Sequence, residues 1–247
     1  MIDTHAHLDA LDTDAAVARA RDSGVMTILT VGTDVAGCRR ALEIAERHEG
    51  VFAILGIHPH EAGGATDADL GEVRALLDHP RAVGVGEMGL DWFRDYAPRD
   101  RQLRLFEQEL ELAADVGKPA VIHTRAADED TLAALASFGG GVVLHCFSSP
   151  HLLGTALERG WYISFAGNAT YKNAVDLRLA ATQVPAGRIL AETDCPYLAP
   201  QPVRGQRNEP AYVVHTIAAL AQARGEEADE LAAQIDRNAI ECFGLPA

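Results

Sequence analysis

The sequence has no apolar run of the roughly 18–20 residues that a bilayer span requires. Its first residues, Met1-Ile2-Asp3-Thr4-His5, lack the basic region and the apolar stretch of a signal peptide. A cytoplasmic location with no membrane partner is expected. Cysteine is scarce. Cys38, Cys146, Cys195 and Cys242 lie far apart and form no C-x-x-C pair. Buried reduced thiols are therefore expected, rather than a disulfide framework or a thiolate zinc site. Basic charge is short as well. The formal net charge is −15, which argues against coating long duplex DNA, because such binding rests on neutralising phosphates with Lys and Arg. A short strand end, held by metal ions and a few local arginines, stays compatible with that charge. No G-x-G-x-x-G or P-loop pattern follows the first apolar run, and no internal repeat or low-complexity segment is present.

What the chain does have is a regular supply of short apolar runs, in a composition that is 48% hydrophobic. Eight are of strand length: Met1–His5, Thr27–Gly32, Val51–Ile57, Ala82–Gly86, Pro119–His123, Val142–His145, Trp161–Phe165 and Arg188–Ala191. Most are continuous Val, Ile, Leu and Ala without alternation, as in parallel strands buried on both faces. Helical patterns lie between them. In Pro98–Val116, Leu103, Phe106, Leu110 and Ala113–Ala114 recur at helical spacing, with Gly117 and Pro119 as the stop. Glu227–Phe243 repeats the pattern with Leu231, Ile235, Ala239 and Cys242–Phe243. Alternating strands and helices imply a parallel sheet with right-handed crossovers. Eight units in 247 residues predict a single α/β domain, a (β/α)8 TIM barrel. The alternative, an open doubly wound sheet, lacks a phosphate-binding loop after the first strand.

Polar side chains of metal-ligating type close these runs. The first ends in His5-Ala6-His7 and the third in Gly56-Ile57-His58-Pro59-His60. The fourth ends in Gly86-Glu87-Met88-Gly89-Leu90-Asp91, the fifth in His123, the sixth in His145 and the eighth in Glu192-Thr193-Asp194. His5 and His7, two apart on a strand, point to the same side. Burying so many ionisable groups together is costly unless they pair or bind metal. The set exceeds what one tetrahedral zinc uses and suits two divalent ions at the C-terminal mouth of the barrel. The expected division puts His5, His7 and Asp194 on one ion and His123 and His145 on the other, with Glu87 as the bridge. Asp194 is expected to take the proton of the attacking water. The mixed N/O shell fits Mg, Mn, Zn or Fe.

With these segments in view, the chain resembles the TatD family of metal-dependent deoxyribonucleases, within the amidohydrolase-like barrels. The matching segments are Asp3–Asp9, Gly56–His60, Gly86–Asp91, Val121–Arg125, Leu144–Ser148, Glu192–Leu198 and Arg204–Pro210, in family order. The resemblance implies a metal-dependent DNase, with His5, His7, Glu87, His123, His145 and Asp194 as metal ligands. It further implies 3′→5′ exonuclease action on single-stranded DNA, in repair or degradation. By the same resemblance His58 and His60 lie beside the metals within reach of a phosphate, and Arg204, Arg207 and Asn208 hold the substrate. Two positions depart from the family. Cys195 stands where Ser is common and is expected to pack in the core. Trp92 replaces a Tyr-like position, where it either stacks on a base or packs on its loop. A monomer is expected. Two other functions are weighed: an ester or amide hydrolase such as a D-aminoacyl-tRNA deacylase, and a non-catalytic metal-bound scaffold, against which the full ligand set argues.

Overall fold

In the computed structural model, which describes residues 1–246, eight parallel strands pair in sequence order, β1 to β8. They are β1 Ile2–Ala6, β2 Thr27–Gly32, β3 Val51–Leu55, β4 Ala82–Asp91, β5 Ala120–Arg125, β6 Val142–Leu144, β7 Tyr162–Phe165 and β8 Ile189–Ala191. Helices α1 (Thr13–Asp22), α2 (Val35–Arg47), α3 (Asp67–Leu76), α4 (Arg99–Val116), α5 (Asp128–Leu135), α6 (Leu153–Glu158) and α7 (Val175–Gln183) fill the successive crossovers. Two more, α8 (Val213–Arg224) and α9 (Ala228–Phe243), follow β8. The ring closes just beyond β8. Ala6 bridges to Cys195, His7 N donates to Cys195 O at 2.8 Å, and Asp194 N donates to His5 O at 2.9 Å. The buried Asp3 carboxylate clips the same seam, accepting from Thr193 N at 2.9 Å and Thr193 Oγ1 at 2.6 Å. This is the (β/α)8 barrel that the strand–helix alternation predicts.

Apolar residues divide between two cores. Outward-facing strand residues such as Ile28, Ala53 and Ile122 pack under the helices with Leu42, Phe106 and Leu110. A separate cluster unites Leu29, Phe52, Val83, Val121 and Leu190 with Ala239 and Phe243 of α9. The strand ends beyond these layers carry the polar groups. Most predicted boundaries agree within two residues. The exception is β4, which continues five residues past Gly86 to Asp91, so that Glu87 lies within the strand. Glycine usually punctuates a strand; here it permits close approach. Gly89 has φ +135°, and a Cβ there would fall 2.0 Å from His123 O. The backbone thereby keeps pairing with β5 through Asp91↔Arg125. No helix among the described residues is long and apolar enough to cross a membrane.

Candidate metal centre

Glu87 is the hub. Its Oε1 lies 2.8 Å from His123 Nδ1, 2.9 Å from His145 Nε2 and 3.4 Å from His58 Nε2. Its Oε2 faces the other way, 3.4 Å from His5 Nε2 and 3.9 Å from His7 Nε2. Asp194 Oδ1 is 3.4 Å from His7 Nε2 and 4.0 Å from His5 Nε2. Three overlapping groups each hold their ligand atoms within 4.8 Å of one another: His5, His7 and Asp194; His5, Glu87 and His145; His58, Glu87 and His123. All six residues expected as ligands therefore converge, and His58 joins them.

The electrostatics follow from burial set against neighbours. Burial by itself would raise the Glu87 carboxyl, but His145, His58 and His123 outweigh it and hold it well below the usual range. Asp194 is likewise lowered, burial being overcome by His7, His145 and His5. Burial presses His145 and His123 toward neutrality, yet the carboxylates around them raise both. His5 goes the other way, lowered by burial and by the charge of His145. Its ring stacks on His145 at 3.9 Å, and both its nitrogens are buried without a hydrogen-bond partner among the described residues. Such orphaned nitrogens are costly unless they meet a cation or a donor. A neutral imidazole aimed at two ionised carboxylates fits a divalent ion, and the N/O donor set is one such ions accept.

Sequence reasoning gave no role to the groups that orient these ligands. Asp91 is buried and bridges two histidines, with Oδ2 at 2.8 Å from His60 Nε2 and 3.2 Å from His123 Nε2. Burial opposes its charge, but His123, the Arg94 backbone N–H and His60 hold its carboxyl below the usual range. Glu192 Oε1 accepts from Cys146 N at 2.7 Å and lies 3.0 Å from His145 Nδ1, while Ser164 Oγ donates to Oε2 at 2.5 Å. A carboxylate on the far nitrogen of a ligating histidine fixes its tautomer and orientation. Both residues sit inside the quoted motifs, but only tertiary pairing reveals their partners.

The cluster floors a cavity of about 770 Å³, whose walls include His58, His60, Arg94, Tyr96, Arg125 and Tyr197. Four residues expected to bind substrate fall outside this lining. Trp92 gives its indole N–H to Asp130 at 2.8 Å and its ring face to the Arg99 guanidinium at 4.8 Å, so it braces its own loop. Arg204 covers the Tyr171 ring at 3.8 Å, and Arg207 donates to Ala10 O. Asn208 is fully buried, and its amide donates to Thr193 O at 2.8 Å and Tyr197 O at 2.5 Å. Those contacts fix the loop after β8. Cys195 is buried in the core, as expected.

A barrel that gathers histidines and carboxylates from six strand ends around one buried glutamate defines a metal-dependent hydrolase. The profile of the family described as TatD related DNase matches residues 2–244, and the chain belongs to that family. It is 36% identical over 253 residues to the "Uncharacterized metal-dependent hydrolase YabD" of Bacillus subtilis, covering 99% of both chains. It is also 36% identical over 245 residues to the "3'-5' ssDNA/RNA exonuclease TatD" of Enterobacter lignolyticus, covering 96% of this chain and 94% of that one. Among solved structures, the TatD homolog YjjV of Escherichia coli superposes with a TM-score of 0.93 at 30% identity, over 100% of this chain and 98% of that one.

Proposed function

We propose that this protein is a 3′→5′ exonuclease that hydrolyses phosphodiester bonds at single-stranded DNA ends, in repair or degradation, with two divalent ions. One observation carries the reading: the two oxygens of Glu87 face different histidine sets, as a bridging carboxylate requires. His5, His7 and Asp194 would hold one ion, and His123 and His145 would hold the other, with His58 adjacent. When bound, divalent ions supply Lewis-acid polarisation of the phosphate and acidify the attacking water. The chain does the rest. Asp194, 14% exposed beside His7, takes the proton of that water at its carboxylate. Arg94 and Arg125 on the wall make charge-assisted bonds to phosphate oxygens. His58 and His60, the latter fixed by Asp91, stand beside the reacting phosphate. The cavity has the size of a small-ligand pocket, which suits a strand end rather than an intact duplex. The Enterobacter lignolyticus relative, named as an exonuclease, supports the choice of bond.

The test is digestion of end-labelled single-stranded DNA by EDTA-treated protein, with and without Mn²⁺ or Mg²⁺. The wild type is expected to ladder the substrate from its 3′ end only when metal is restored. Glu87→Gln and Asp194→Asn are expected to lower turnover by orders of magnitude while remaining folded. Full activity in both variants removes the two-metal reading. Absence of cleavage by folded, metal-loaded wild type moves the assignment to ester or amide substrates, D-aminoacyl-tRNA first.

A further inference from the structure

Among the described residues, six large hydrophobic side chains are exposed: Met26, Phe93, Tyr96, Val175, Leu179 and Tyr197. The three aromatic ones all lie in loops at the C-terminal strand ends, two after β4 and one after β8. In a closed ring of eight strands, β4 and β8 are diametrically opposite. Tyr96 and Tyr197 therefore stand on opposite sides of the metal-ligand cluster. Each ring is set steeply against a cluster histidine: Tyr96 at 4.7 Å and 88° to His60, and Tyr197 at 6.1 Å and 71° to His7. Tyr96 and Tyr197 are 64% and 62% exposed, and both line the cavity. Phe93 differs, because the Arg125 guanidinium covers its ring at 3.9 Å.

Resting on the phosphodiesterase reading above, we infer that Tyr96 and Tyr197 are two base-stacking subsites that receive the bases on either side of the cleaved bond. Every base offers a π-face, so aromatic platforms bind single strands without regard to sequence. A dinucleotide unit with its phosphate on the cluster would direct one base toward each ring. Paired bases in a duplex first have to unstack. The ligand class is thus an unpaired strand bearing a base on each side of the scissile phosphate. These two rings add to the single-strand preference that the size of the cavity imposes.

The experiment uses metal-loaded enzyme and an oligo-dT whose 3′-terminal linkages are phosphorothioates, to slow cleavage, with affinity read by fluorescence anisotropy. A second oligonucleotide carries abasic residues at its last two positions. Tyr96→Ala and Tyr197→Ala are each expected to weaken oligo-dT binding about tenfold and to raise KM more than they lower kcat on the unmodified strand. The Phe variants restore binding, since the ring and not the hydroxyl is used. Removing the bases should weaken wild-type binding but cost the Ala variants much less. Equal binding by wild type and both Ala variants overturns the subsites, as does an abasic penalty of the same size in all three proteins. If the wild type still cleaves oligo-dT in that case, the phosphodiesterase reading survives alone. A wild type that neither binds nor cleaves it removes both.

Discussion

Glu109 on α4 is a buried carboxyl that the site does not use directly. Its Oε1 accepts from Ile57 N at 2.7 Å, and its Oε2 has no partner among the described residues. Burial pushes this carboxyl well above the ordinary value of 4.5, against a smaller lowering by the Ile57 N–H. A folded-state pKa above the unfolded one means that the fold binds the proton more tightly. Stability is then lost as pH rises from about 4.5 through the raised folded value. Glutamine keeps the acceptor for Ile57 N and cannot ionise. Glu109→Gln should therefore melt higher than the wild type, by a margin that grows with pH across that window. Thermal melts of both proteins in chelator from pH 4 to 8 check this, and a margin that stays flat with pH means that Glu109 titrates normally. At the same scale, Asp91 and Glu192 touch the cluster only through its histidines, His60 and His123 for Asp91 and His145 for Glu192.

Among the elements, β4 decides the most. Its pairing with β5 runs through Met88↔Ile122, Gly89↔His123 and Asp91↔Arg125, and that ladder sets Glu87 against His123. Gly89 lies at φ +135°, with His123 O where a Cβ would go. Gly89→Ala combines a conformation L residues rarely adopt with a backbone clash. It is expected to destabilise the fold by about 3 kcal/mol or more. Urea unfolding measures the loss, and one below about 1 kcal/mol would show that the strand relaxes around the methyl. The neighbouring pair is equally close: a Cβ on Gly56 would meet Gly86 Cα at 2.6 Å. Glycines here let the segment after β3, which carries His58, approach strand β4, which carries Glu87.

For the molecule as a whole, a net charge of −15 leaves little basic surface for nucleic acid. If only Arg94 and Arg125 meet phosphates, two contacts at about 0.7 each give a slope near −1.4 in log K against log salt. Anisotropy titrations at several salt concentrations test this, and a slope near −5 would mean an unrecognised basic track. The sequence by itself determined the barrel, because eight apolar runs separated by helical patterns admit few other folds. It also marked the His and acidic residues that close those runs one after another, and these are the side chains that converge around Glu87. Only the tertiary structure decided which polar residues line the cavity beside the cluster. Trp92, Arg204, Arg207 and Asn208 read as ligand-binding in the chain; in the fold they lie outside the cavity lining and contact Asp130, Tyr171, Ala10 and Thr193. Tyr96 and Tyr197 carry no local signal and gain their place because β4 and β8 lie across the ring from each other. Strand periodicity is a local property of the chain, whereas the partner of a loop side chain depends on which loops the closed barrel brings together.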